Sequence, residues 1–207
     1  MSKIIAICNQ KGGVGKTTTA VNLAASFAAM EKQTLLIDMD PQGNASQGIG
    51  YNEVQEEDIH EALDLAENPE AVTLEAIQKI IKPTSLKFMN VITAGPDLAS
   101  LEIELVNAMS RERRLERITN ILKPNYEFIV IDSPPSLNLL TLNTLTAADS
   151  VLIPVQCEYY ALQGLAELFN TIRLVQKNLN DHLKVEGALM TMYDARLSLS
   201  KQVVDEV

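Results

Sequence analysis

Eight consecutive residues, Lys11-Gly12-Gly13-Val14-Gly15-Lys16-Thr17-Thr18, combine the groups needed to hold a polyphosphate. The glycines allow the backbone positive φ, so that successive N–H groups turn inward onto an anion. The N-terminus of a following helix adds its dipole to the cradle. Lys16 supplies a cation to the β- and γ-phosphates, the Thr17 hydroxyl suits Mg²⁺, and the Thr18 hydroxyl suits the α-phosphate. The order strand, glycine loop, Lys-Thr, helix is the context that distinguishes a phosphate loop from a chance glycine turn. Val14 belongs to the same cradle through its backbone. The expected ligand is ATP with Mg²⁺.

The loop departs from the usual G-x-x-x-x-G-K-[ST] pattern, since Gln10 stands where the first glycine belongs and an additional lysine, Lys11, opens the turn. A second cation so near the phosphates offers charge stabilisation beyond that of Lys16, the task an arginine finger performs in cis or in trans. Two acidic sites close apolar runs elsewhere. Asp132 ends EFIVID and suits a Mg²⁺ ligand acting through water. Asp38 and Asp40 follow TLLID. Asp40 is a candidate to orient the attacking water, while Asp38 is a candidate to contact Lys16 or metal-bound water. A turn-forming role is the alternative for both.

These residues need a scaffold that brings strand ends together. Short apolar runs at Lys3–Cys8, Thr34–Asp38, Phe88–Ile92, Glu127–Asp132, Ser150–Val155 and Val185–Thr191 read as six strands. Helical patterns lie between them at Lys16 to about Glu31, in the acidic segment, at Leu74–Ile81, at Leu101–Leu122 and at Ala161–Leu179, and residues 40–50 read as a loop. Near-continuous apolar strands alternating with helices predict an α/β fold, doubly wound, with a mainly parallel sheet covered by helices on both faces. Ligands of such sheets bind at the carboxyl ends of the strands. Ser198–Val207 begins an amphipathic helix with Leu199, Val203, Val204 and Val207 on one face. The expectation is a single P-loop ATPase domain over residues 1–207 that continues beyond them.

The 207 residues are 46% apolar, enough for one substantial core, and carry a net charge of −10. Eight acids and no Lys or Arg fall within residues 51–70, and outside that window acids and bases nearly balance. Bulk charge therefore gives no support to nucleic-acid binding. The run Arg111, Arg113, Arg114, Arg117 is a local basic candidate, with a solvated helix face as the blander reading. No window approaches the roughly 18–20 apolar residues that span a bilayer, and residues 1–9 lack the pattern of a secretory signal. The expected location is the cytoplasm. Cys8 and Cys157 sit in apolar contexts that suit buried, reduced thiols.

The string KGGVGKTT, with its additional Lys11, resembles the deviant Walker A motif of the ParA/MinD superfamily. DMDPQGNAS (Asp38–Ser46), VIDSPPSLN (Val130–Asn138) and PVQCEYYALQGL (Pro154–Leu165) resemble the ParA/Soj branch of chromosome- and plasmid-partitioning ATPases, a likeness running from residue 3 to 207. The resemblance implies that Lys11 reaches across an ATP-sandwich homodimer to the partner's phosphates, with Gly12 at the contact. It implies that Asp40 positions the hydrolytic water and that Asp132 is the Walker B acid. It also implies non-specific DNA binding in the ATP state, a ParB/Spo0J-like stimulating protein, slow turnover, and association with the nucleoid rather than a membrane. Arg196 matches a position where the family carries a DNA-contacting arginine, with a local salt bridge as the alternative. Two other readings share the scaffold. One is a MinD-like membrane-cycling regulator, which the DSPPS string disfavours. The other is a metabolic P-loop enzyme, such as a dethiobiotin synthetase or the nitrogenase iron protein. The iron protein needs cluster-ligating cysteines in a pattern that Cys8 and Cys157 do not fit.

Overall fold

A computed structural model describes residues 2–105, 108–158 and 161–206. Tyr159 and Tyr160 of the PVQCEYYALQGL string, and Val207 at the end of the expected terminal helix, lie outside the described residues. The chain runs β1 (Lys3–Ile7), α1 (Lys16–Ala29), β2 (Thr34–Asp38), α2 (Asn44–Gly48), α3 (Ile59–Leu65), α4 (Leu74–Ile80), β3 (Lys82–Pro83), β4 (Met89–Ile92), α5 (Leu98–Glu104), α6 (Arg114–Leu122), β5 (Phe128–Asp132), α7 (Leu139–Ala147), β6 (Ser150–Gln156), α8 (Ala161–Asn178), β7 (Lys184–Thr191) and α9 (Ser198–Glu206).

The strands form one sheet in the order β3-β4-β2-β5-β1-β6-β7. Every pairing is parallel except that of β3 with β4. The doubly wound α/β expectation therefore holds, and both faces of the sheet carry helices. Alternation along the strands divides the core in two. Ile4, Ala6, Leu35, Ile37, Ile129 and Ile131 face the layer built from α3 to α9. Ile5, Ile7, Leu36 and Val130 face α1 and α2. Helix α1 meets the sheet through a stripe of Ala20, Ala24 and Ala28, all buried and four residues apart. That spacing follows one face of a helix, and the small side chains let the backbone lie close to the strands. Beside the stripe, Phe27 stacks on Phe128 with ring centroids 3.8 Å apart.

Register places the chemistry. In the parallel ladders Ile7 stands opposite Asp132, and Asp38 stands opposite Asp132 on the other side. The loops that leave β1, β2 and β5 thus depart from adjacent positions at one edge of the sheet.

Several expected elements differ. A seventh strand, β3, has only two residues, and Pro83 lacks the N–H that a longer ladder would need. Residues 40–50 contain the short helix α2. In the acidic segment only Ile59–Leu65 is helical, started by a capping box between Asp58 and Glu61. The helix expected over 101–122 is broken: Ser110 takes φ +52 and a 3₁₀ turn follows at Arg111–Arg113. Asn143 of α7 fixes that break, since its Nδ2 donates to the Arg111 carbonyl at 2.9 Å and its Oδ1 accepts from the Leu115 amide at 3.2 Å. Helix α7 is an element that apolar periodicity does not predict, because most of its residues are buried.

The arginine run is not a solvated helix face. Arg114 is 1% exposed, and its Nη1 donates to the Leu63 carbonyl at 2.9 Å. Its Nη2 lies 3.3 Å from the Glu67 carboxylate without hydrogen-bond geometry. Arg117 donates to the Ala66 carbonyl at 2.6 Å and Arg113 to the Leu179 carbonyl at 2.8 Å. These arginines satisfy carbonyls at helix ends. Replacing Arg114 by alanine leaves the Leu63 carbonyl without its donor and opens a cavity. Urea denaturation of Arg114→Ala should show a loss of roughly 2–4 kcal/mol. A change under about 0.5 kcal/mol, the range of ordinary surface sites, would contradict a buried structural role.

Candidate functional site

The chain leaves β1 through buried Cys8 and Asn9 and turns through residues 10–15. Gly13 and Gly15 have φ of +76° and +89°, a conformation that side-chain-bearing residues rarely adopt. Gly15 is also the N-cap of α1 and provides no side-chain cap, so the first-turn amides keep their capacity for an external anion. A cleft of about 340 Å³ opens over this turn. Gly12, Gly13, Gly15, Lys16, Thr17 and Thr18 line it, together with Asp40, Asn44, Pro135 and Met192. Val14 contributes no lining: its side chain is buried and its carbonyl accepts a hydrogen bond from the Thr191 hydroxyl.

Charge is concentrated beneath the cleft. Lys16 is 7% exposed and its Nζ donates to the Lys11 carbonyl at 2.9 Å, closing the turn on itself. Burial pushes the Lys16 pKa down, opposed by the charges of Asp132 and Asp40. Asp132 is fully buried and pushed up to about 7, first by desolvation, with Asp38 and Asp40 adding to the rise and the nearby Thr17 hydroxyl and Lys16 opposing it. Thr17 is close enough to influence the carboxylate, yet neither Asp132 oxygen receives a hydrogen bond of normal geometry. Asp38 is pushed up to about 6 by burial. It accepts from the Asp40 amide at 3.1 Å, the Ser46 amide at 2.9 Å and the Ser46 hydroxyl at 2.7 Å. Asp38 therefore organises the loop after β2, and Asp40 stands on that loop, 6% exposed, accepting from the Gln42 amide at 3.0 Å.

Two buried carboxylate oxygens without donors call for a cation. Asp132 beside the Thr17 hydroxyl fits magnesium, which takes few protein ligands and completes its shell with phosphate oxygens and water. Among the described residues no group of three or more His, Cys, Asp or Glu is arranged to hold a metal by itself.

Lys11 is separated from its neighbours in the motif. It lines an adjoining hollow of about 410 Å³ with Gln10, Ser136, Leu137, Gly164 and Glu167, outside the cleft that contains Lys16. Its Nζ pairs with Glu158, just beyond β6. Arg196 lies far out on the surface in the segment after β7, its side chain 88% exposed and joined to Asp194 by hydrogen bonds of 2.6 to 3.2 Å. The salt-bridge alternative for Arg196 is thus the observed state. A larger hollow, about 960 Å³, lies at the opposite edge of the sheet, where Lys3, Lys123, Glu127 and Asp149 are engaged in ion pairs. It gathers no groups suited to reaction.

A family model described as an AAA domain matches residues 2–185. The chain is 54% identical to the chromosome partitioning protein ParA of Myxococcus xanthus, over all of this chain and 71% of that protein. It is 54% identical to the sporulation initiation inhibitor protein Soj of Bacillus subtilis, over all of this chain and 79% of that one. The chain belongs to the ParA/Soj family. Among solved structures, one from Mycobacterium smegmatis named cobyrinic acid a,c-diamide synthase, with bound ADP and magnesium, superposes with a TM-score of 0.90 at 37% identity. That match covers all of this chain and 81% of the other.

Sequence reasoning missed the groups that brace the phosphate turn and hold Lys11: Asn9, Thr191 and Glu158. Asn9 had one local signal, a polar residue between an apolar strand and the glycines. The others engage partners remote in sequence and carry no local signature.

The unfolded value of an aspartate is near 4. Between about pH 4 and pH 7 the folded chain therefore holds more protons on Asp132 and Asp38 than the unfolded chain does. Stability from this source is complete at low pH and falls as pH rises through that window. Asp132→Asn cannot ionise. Thermal melting without nucleotide should place Asp132→Asn roughly 3 °C or more above the parent at pH 8, with a much smaller gap at pH 4.5. An equal gap at both values would show that desolvation of Asp132 is not the cause.

Proposed function

We propose that this chain is a magnesium-dependent ATPase that works as a dimerising switch in chromosome or plasmid segregation. The observation that carries the reading is the separation of two lysines only five positions apart. Lys16 lies in the phosphate cleft, whereas Lys11 stands outside it on an adjoining surface. A cation placed there suits the phosphates of a second subunit better than those of its own. The partitioning names of the relatives at 54% identity support the same reading. The structure named as a synthase stands at 37% identity, and its bound ADP and magnesium favour the same cofactors here.

In this mechanism the loop amides and the α1 N-terminus hold the β-phosphate, with Gly12 at the dimer contact. Lys16 releases the Lys11 carbonyl and donates to β- and γ-phosphate oxygens, and Thr18 meets the α-phosphate. Thr17 and Asp132 would hold magnesium, which when bound neutralises charge on the β- and γ-oxygens. Asp38 keeps the Asp40 loop in place and, opposite Asp132 in the ladder, would support the magnesium site from behind. Asp40 accepts a hydrogen bond from the attacking water and aims it in line at the γ-phosphate. Lys11 from the partner spreads the charge that develops. Turnover is slow, because a switch requires a long-lived ATP state. The ATP dimer binds DNA without sequence preference, with Arg196 contributing once it leaves Asp194, and a ParB/Spo0J-like protein stimulates hydrolysis. The protein acts in the cytoplasm on the nucleoid. No described helix is long and apolar enough to cross a membrane.

Light scattering with ATP-Mg²⁺ and with ADP tests the switch. The expected result is doubled mass with ATP alone, and a monomer with either nucleotide for Lys11→Ala, which still binds nucleotide. A Lys11→Ala protein that dimerises normally would remove the in-trans role. Asp40→Ala should hold the dimer and lower hydrolysis by about a hundredfold or more, the usual range for a group that activates the nucleophile. Phosphate release at the parent rate would assign water activation to another group.

A further inference from the structure

Two side chains outside the recognised motif hold the phosphate turn from its flanks. Asn9 uses both ends of its amide: Nδ2 donates to the Pro154 carbonyl of β6 at 2.7 Å, and Oδ1 accepts from the Lys11 amide at 3.0 Å. Thr191, the last residue of β7, donates its hydroxyl to the Val14 carbonyl at 2.8 Å across 177 positions of sequence. Its own carbonyl accepts from the Cys157 amide at 3.3 Å, and Gln156 of β6 is its ladder partner, so the hydroxyl is delivered from fixed backbone. The Thr191 methyl lies 3.6 Å from where a Cβ on Gly15 would sit.

The direction of the Val14 carbonyl has a chemical consequence. In a planar trans peptide the carbonyl of one residue and the N–H of the next point to opposite sides, and the chain has no cis peptide among its described residues. A hydroxyl that holds the Val14 oxygen toward β7 therefore aims the Gly15 amide away from β7, toward the cleft that Gly15 lines. If that peptide flipped, an oxygen would face the phosphates where a donor is needed. Gly15, in the left-handed region and without a Cβ, leaves this peptide few steric restraints on its C-terminal side. Residue 192 adds to the same picture: Met192 takes φ +52 and lines the cleft, so the chain beyond β7 turns along the site.

We infer that Thr191 is a positioning residue for triphosphate binding, fixing the Val14–Gly15 peptide so that its N–H faces the ligand, with Asn9 setting the entry to the same turn. The inference rests on the ATP-binding reading of the loop and assigns to β7 a share in nucleotide affinity.

The test is titration of the full chain with a fluorescent ATP analogue and Mg²⁺, comparing the parent with Thr191→Val and Thr191→Ser. Valine keeps the volume and removes the hydrogen bond, while serine restores the hydroxyl. Thr191→Val should bind about tenfold more weakly and Thr191→Ser within about twofold of the parent, the range for one hydrogen bond. Melting temperature without nucleotide serves as the control, because a purely structural role lowers it and leaves the affinity of the folded protein unchanged. Parent affinity in Thr191→Val, or equal weakening in Val and Ser, overturns the inference. Failure of the parent itself to bind the analogue overturns the ATP reading and this inference with it. If the valine variant does not fold, Thr191→Ala carries the same expectation.

Discussion

Lys16, Asp38, Asp40 and Asp132 are nearly removed from water at the carboxyl edge of β1, β2 and β5, and the rest of the structure depends on keeping them there. A buried charge without partners is costly. The parallel register gathers these groups, placing Asp132 between Ile7 and Asp38, while Lys16 from the first turn of α1 offsets part of their charge. Desolvation holds the lysine below its usual range and the two buried carboxylates above theirs. The cluster is therefore poised to accept an anion on the lysine side and a cation on the aspartate side. A polyphosphate with its metal supplies both in one ligand.

Division of labour among the aspartates follows from their donors. Asp38 is occupied by the Ser46 and Asp40 amides and the Ser46 hydroxyl, so its contribution is the shape of the loop. Asp132 has no such donors and stays unsatisfied, buried beneath the cleft. Asp40 stands on the loop that Asp38 shapes and reaches the cleft itself. Three residues of one type thus differ in chemistry because their backbone surroundings differ.

The central strands were legible because fully buried parallel strands read as unbroken apolar runs, as KIIAIC, TLLID and EFIVID do. The phosphate turn was legible because its glycines and lysines are local. Helix α7 was not, since Leu140, Thr141, Asn143, Thr144 and Leu145 are all buried and a helix covered all round shows no amphipathic period. The break at Ser110 was hidden for a different reason: apolar spacing continues from Leu101 into Leu115, Ile118 and Leu122, and only the grip of Asn143 from another helix reveals the turn. Arg114 read as surface by type, yet it is drawn inward by a carbonyl 51 positions away. In the site, motif spacing identified every charged group that lines the cleft. The Asn9 and Thr191 braces lay beyond reach because each depends on a carbonyl met only after the sheet has formed.

The alanine stripe on α1 has a mechanical meaning. A helix resting on its methyl groups has almost no clearance above the sheet, so it cannot tilt or slide without driving backbone into backbone. The helix end that faces the nucleotide is then a fixed anvil rather than a moving part. A change of shape at the site must then be absorbed elsewhere, in the segments after β2, β5 and β6. Those segments carry Asp40, Pro135 and Glu158, so the stiffness of three alanines directs any change of shape toward the loop that Asp38 shapes and toward the residue that holds Lys11.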